Sequence, residues 1–136
     1  MRDWRDDLQD RTQAFASAAI DVSLALADLP GLQESSQQLN SAATSVGSNH
    51  RAMRRARSDR EFAAKLQIVL EEADESVYWL ELACRRQGVP ANAKTLLREA
   101  RELRAIFAKA RSTTGQRLGD EKGRRRGRQG KTAAGP

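Results

Sequence analysis

The chain is 136 residues long, carries a formal net charge of +6 and has one cysteine, which allows one domain with a real core and leaves too little for two. Ala, Leu, Arg, Glu and Gln are plentiful, proline is absent between Pro30 and Pro90, and no run of alternating β-branched residues occurs; strand-built folds are excluded and an all-α domain is expected. The charged start MRDWRDDLQD does not suit a signal peptide, no apolar run approaches the ~20 residues of a membrane span, and Cys84 lacks a partner for an internal disulfide, so the expected setting is the cytoplasm with no membrane role.

From about Trp4 to Leu29, Leu8, Phe15, Val22 and Leu29 recur every seven residues, with Thr12, Ala19 and Leu26 between them, the stripe of an amphipathic helix. Leu29-Pro30-Gly31 breaks it, because proline lacks a donor and glycine accepts any turn geometry. The turn is short enough to demand an antiparallel neighbour. That neighbour runs from Leu32 to about Ala56, marked by Leu32, Leu39, Val46 and Met53; the places between are filled by Ser35 or Ser36, Ala42 or Ala43, and Asn49 or His50. Its stripe is narrow and small, and Asn49 shares the face of Ala42, Val46 and Met53, so it is expected to be partly buried and to need a hydrogen-bond partner.

The stretch from Ser58 to Gly88 carries the strongest signal. Phe62, Leu66, Val69, Ala73, Ser76, Leu80 and Ala83 form one stripe, and Ala63, Leu70, Val77 and Cys84 a second beside it, so this helix meets two neighbours. Ser58 and Glu61 have the spacing of a capping box, and Arg85, Arg86, Gly88 and Pro90 mark the end. A fourth helix follows Pro90, with Ala93, Leu96, Ala100, Leu103, Phe107 and Ala110 recurring by threes and fours to about Ser112. Four helices of roughly 25 residues, each about 38 Å long, joined by short turns make an antiparallel up-down-up-down four-helix bundle over residues 1–114. Residues 115–136 hold seven basic residues (Arg117, Lys122, Arg124, Arg125, Arg126, Arg128, Lys131) and two acidic ones, 7 − 2 = +5. Apolar residues nearly vanish there, and the segment is expected to be a disordered basic tail.

Little in the pattern points to catalysis or to a cofactor. His50 is the only histidine, the carboxylates lack the Glu-x-x-His spacing of di-iron bundles, and neither a glycine-rich phosphate loop nor a Ser/His/Asp set occurs. The acidic run Glu71, Glu72, Asp74 and Glu75 reads as a solvated face. Three features remain. Asn49 and Glu75 either meet across helices two and three as a buried polar contact or hydrate separately at the bundle edge. Ile68, Trp79 and Leu82 lie on a third stripe of helix three and mark either an oligomer interface or a cover for the bundle end. Arg51, Arg54, Arg55, Arg57, Arg60 and Lys65 cluster within a few turns; with Arg124, Arg125, Arg126 and Arg128 of the tail they either neutralise the phosphates of RNA or DNA or simply keep the protein soluble.

The segments Ser45-Val46-Gly47-Ser48-Asn49 and Arg57-Ser58-Asp59 with Glu61-Phe62, then Leu66, Ile68 and the run Glu72-Ala73-Asp74-Glu75-Ser76-Val77-Tyr78-Trp79-Leu80-Glu81-Leu82, carry a resemblance. The chain resembles, over about residues 8 to 110, the bacterial four-helix-bundle proteins first noted as products of intervening sequences in 23S ribosomal RNA genes. That family usually continues the first motif as Ser-Asn-Ile-Ala-Glu-Gly, whereas His50-Arg51-Ala52-Met53 follow Asn49 here. The resemblance implies an antiparallel four-helix bundle and, from characterised relatives, a ring-shaped homopentamer. One branch of the family, the accessory proteins of diversity-generating retroelements, is basic and partners a reverse transcriptase and nucleic acid. The expected function is therefore that of a non-enzymatic, oligomeric nucleic-acid-binding accessory, with a protein–protein interaction module as the alternative.

Overall fold

In the computed structural model, residues 2–132 are described, and they form four α-helices: α1 (Trp4–Ala27), α2 (Gln33–Arg54), α3 (Asp59–Cys84) and α4 (Ala91–Thr132). No strand occurs among the described residues. Sequential helices pack along their lengths as α1 on α2, α2 on α3 and α3 on α4, while α1 and α4 touch sparsely. The bundle is antiparallel throughout, and one of its four seams is partly open.

The expected stripes are the core. Leu8, Phe15, Val22 and Leu26 of α1, Leu39 and Val46 of α2, Leu66, Val69, Val77 and Leu80 of α3, and Leu96, Leu103 and Phe107 of α4 are buried in one cluster. Alanines at the closest approaches (Ala19, Ala43, Ala73, Ala83, Ala100) are fully covered; small side chains there let the helix axes come together, which is how a bundle with few aromatics closes its interior.

The breaks fall where local chemistry puts them. Gly31 and Gly88 take φ of +80° and +83°, a left-handed conformation that costs glycine nothing and other residues much more. At the α2–α3 link, Ser58 is extended and its hydroxyl accepts the Glu61 N–H at 3.1 Å. The Glu61 carboxylate turns back to the Arg57 N–H at 3.4 Å, one residue before the reciprocal position of a standard capping box.

Two expectations need correction. The segment 115–136 was expected to be disordered, but α4 continues to Thr132, and residues 133–136 lie outside the described residues. The bundle core already supplies the helix nucleus, so each further residue needs only propagation. Between the glycines stand strong helix formers, Gln116, Arg117, Leu118, Glu121, Lys122 and the arginines, and no proline interrupts them. The second correction concerns the Asn49–Glu75 contact; Asn49 itself is partly buried and hydrogen-bonded, as expected. Its amide donates to the Ser45 carbonyl at 3.0 Å and to the Ser45 hydroxyl at 2.9 Å on its own helix, and Glu75 is exposed. A hairpin centred on residues 56–57 sets Asn49 beside the first turns of α3, about three turns from Glu75, so the pair never meets. The polar residue buried at this level of α2 is instead His50, 1% exposed and tilted against the Phe107 ring at 5.9 Å.

Candidate nucleic-acid interface

One end of the bundle gathers the start of α1, the α2–α3 link and the outward continuation of α4. Two ion pairs lock that assembly: Arg54 reaches Asp6 at 3.1 Å, and Arg117 reaches Asp59 at 3.4 Å. Arg54 also donates to the Gln9 side chain at 2.7 Å. Its guanidinium is thus committed to α1 and helps hold the Asp6 carboxyl below the usual carboxylate range, after the larger effect of the Asp3 backbone N–H.

The other cations of the cluster are arranged differently. Arg51 and Arg55, one turn apart at the end of α2, Arg57 in the link and Lys65 on α3 line a cleft of about 490 Å³ together with Ser48, Ala52 and Glu61. Among the described residues, none of these four side chains has an ion-pair or hydrogen-bond partner. Arg60 is exposed and outside the cleft. Two of the positions at which the chain departs from the family motif, Arg51 and Ala52, are part of the lining. No aromatic side chain is.

Past Arg117, α4 leaves the bundle. From Leu118 to Thr132 it extends roughly 22 Å beyond the Arg117–Asp59 ion pair, at about 1.5 Å per residue, and Arg124, Arg125, Arg126 and Arg128 are exposed along it. Two basic segments separated by some sixty residues of sequence therefore share one end of the molecule.

Along the other seams several charges are used within the fold. Arg101 pairs with Glu81 at 3.2 Å, Arg104 with Asp74 at 2.9 Å, and Arg111 donates to Gln67 at 2.9 Å, a ladder joining α4 to α3. Arg11 spans the open α1–α4 seam to Glu99 at 2.6 Å and Glu102 at 3.0 Å. Beside that bridge lies a second cleft of about 470 Å³ lined by Ala14, Phe15, Ala18, Val22 and Leu96; the two alanines leave α1 too slim to fill the seam.

The third stripe of α3 is only partly exposed. Ile68 is 36% exposed, Trp79 and Leu82 are half-buried, and the Trp79 ring packs against the core and edge-on to Tyr78 at 5.0 Å. Tyr78, which the stripe pattern overlooked, is 54% exposed; on α1, Ile20 and Leu24 are also exposed, one turn apart. Their signal was readable: each is an apolar residue set off the core stripe. Cys84 is half-buried, and burial pushes its thiol above the ordinary value. His50 is held neutral by burial and, secondarily, by the Arg54 charge, with its pKa lowered to about 4. Among the described residues no group of three or more His, Cys, Asp or Glu stands together as a metal set, and no helix is long and apolar enough to cross a membrane.

Comparison with known proteins accords with this architecture. A crystal structure of a protein of unknown function from the S23 ribosomal protein family of Bacteroides thetaiotaomicron superposes with a TM-score of 0.69 at 27% identity, covering 76% of this chain and 96% of that one. Among curated proteins none matches. The family of the 23S rRNA-intervening sequence protein matches residues 8–109, the whole of the bundle from the first core leucine of α1 to the last turns of α4 before it leaves the core. The chain belongs to the 23S rRNA-intervening sequence protein family.

Proposed function

We propose that this protein is a non-enzymatic nucleic-acid-binding accessory of the cytoplasm that holds RNA or DNA through phosphate contacts with little sequence preference, and that it works as a homo-oligomer, a cyclic pentamer by family resemblance. The observation that carries the reading is the convergence of cations. Arg51, Arg55, Arg57 and Lys65, without an ion-pair partner among the described residues, lie at one end with the exposed arginines of the α4 extension, while Arg11, Arg101 and Arg104 are paired with carboxylates within the bundle. Arginine pairs well with phosphate oxygens, and a cleft without aromatic platforms does not read exposed bases. In an oligomer several such ends act together and raise avidity. The protein partner suggested by the resemblance is a reverse transcriptase, and a gene neighbourhood containing one would support that assignment.

The test is fluorescence anisotropy with mixed-sequence RNA and duplex DNA across salt concentrations. Binding that weakens steeply with salt is expected; no binding at low salt overturns the reading. Light scattering gives the oligomeric mass, and a monomer at tens of micromolar removes the pentamer.

A second reading, a protein–protein interaction module, is favoured by the exposed apolar residues Ile20 and Leu24 on α1 and Ile68 and Tyr78 on α3. Because Trp79 packs against the core, Trp79→Asp perturbs folding as well as any interface. Ile68→Asp and Tyr78→Asp are the cleaner probes of self-association.

A further inference from the structure

The cleft at the α2–α3 link differs from a general basic surface in its shape and in its charge. Four cations approach from three segments: Arg51 and Arg55 from the last turns of α2, Arg57 from the link and Lys65 from α3, opposed by the Glu61 carboxylate alone. The lining therefore sums to 4 − 1 = +3 within about 490 Å³. Glu61 is anchored by the Arg57 N–H, so it does not swing across to neutralise the arginines. Ala52 and Ser48 complete the lining, the Ser48 hydroxyl donating to the Ser45 carbonyl at 3.3 Å.

A single strand carries one charge about every 3.4 Å along its axis, whereas a phosphate monoester or an oligophosphate concentrates close to two or more charges on one compact group. Arginine forks match its several oxygens, and Lys65 adds a fourth cation to the lining. The volume is that of a small-ligand pocket, far below the footprint of a duplex.

We propose that this cleft is a discrete site for a phosphate group bearing two or more negative charges. That chemistry is shared by the terminal phosphate of a nucleic-acid strand and a free oligophosphate. The proposal rests on the reading of the protein as a phosphate-binding nucleic-acid accessory and deepens it: the α4 extension supplies general attraction along the backbone, and the cleft selects the end of the strand.

The experiment uses full-length protein throughout. A labelled RNA of fixed sequence carrying either a 5′-phosphate or a 5′-hydroxyl is titrated by anisotropy at one ionic strength, and sodium tripolyphosphate is titrated by calorimetry at the same ionic strength. Both are repeated with Arg51→Gln/Arg55→Gln and with the four tail arginines Arg124, Arg125, Arg126 and Arg128 changed to Gln, after circular dichroism has shown unchanged helicity. For a strand end, the 5′-phosphorylated RNA binds roughly tenfold tighter than the 5′-hydroxyl RNA; the preference vanishes in the α2 double variant and survives in the tail variant. For a free oligophosphate, the two RNAs bind alike but tripolyphosphate binds one site per chain, which the α2 double variant loses. Equal binding of both RNAs with no tripolyphosphate site overturns the proposal and leaves the general nucleic-acid reading standing. A 5′-phosphate preference that survives in the α2 double variant also overturns it. If neither RNA binds yet tripolyphosphate occupies the cleft, the nucleic-acid reading fails and the cleft site stands.

Discussion

The α3–α4 seam and the α2–α3 link use the same residue type for opposite ends. Along the seam Arg101, Arg104 and Arg111 each reach a carboxylate or amide on the facing helix, whereas at the link Arg51, Arg55 and Arg57 point into a cleft with Glu61 as the sole acid in its lining. The two seams differ in what the helices offer each other. α3 sets Glu81, Asp74 and Gln67 at intervals of seven, facing Arg101, Arg104 and Arg111 of α4; α2 meets α3 where both helices carry cations. Charge that has a partner contributes to the fold, and charge left without one is available to a ligand. Arg54 shows how local the distinction is: one residue from Arg55, it turns the other way to Asp6 and Gln9.

The contrast holds only if the core stands independently of both regions, and the largest expected effect tests that. Leu66 is fully buried, and Leu66→Ala should cost about 2–5 kcal/mol by chemical denaturation, more than any change to a surface arginine. A change within about 0.5 kcal/mol means that α3 is misassigned to the core.

Acid offers the next largest effect. His50 ionises at about 4 in the folded protein because of burial, with Arg54 adding to it, against ~6.5 in an unfolded chain. The folded-state value is depressed for a base, so between these pH values the unfolded chain binds the proton and the folded one does not. Stability is fully present above pH ~6.5 and falls as pH drops toward 4, by on the order of 3 kcal/mol. His50→Leu removes the unpartnered Nδ1 and should flatten the stability profile across that window, measured by urea midpoints at several pH values; an unchanged slope assigns the acid sensitivity to other groups.

The comparison itself is sharpened by matched substitutions. Arg51→Ala/Arg55→Ala should leave stability within about 0.5 kcal/mol while lowering the logarithmic salt slope of RNA binding by about 2. Arg11→Ala should behave the other way, costing up to about 1 kcal/mol through the lost bridge to Glu99 and Glu102 with the salt slope unchanged. Equal effects of the two sets on binding would erase the distinction drawn between them.

The smallest effect concerns α2 packing. A Cβ at Gly47 meets the Thr12 carbonyl at 3.4 Å and the Ala16 Cβ at 3.5 Å, ordinary contact distances, so Gly47→Ala should gain about 0.5 kcal/mol from helix propensity alone. A loss measured by thermal melting would show that α1 and α2 are closer in solution than these distances allow.

By itself the sequence determined the four helices, their breaks and most of the core, because helical periodicity and capping are local properties of 20 to 30 consecutive residues. Leu8, Phe15, Val22 and Leu26, like Leu66, Val69, Leu80 and Phe107, are buried as their spacing requires. It did not distinguish Asn49 from His50, since adjacent residues on a helix lie 100° apart and only the position of the neighbouring helix decides which one faces inward. The tertiary structure put His50 against Phe107 and left Asn49 to Ser45. It also decided which arginines are free. Spacing along one chain says where a charge stands, but pairing depends on what the facing helix brings within about 4 Å, and that register is set by the whole hairpin. The same register carries the end of α4 past Asp59 and so joins residues 51–65 to residues 117–128 at one end of the bundle, a juxtaposition that no local pattern contains.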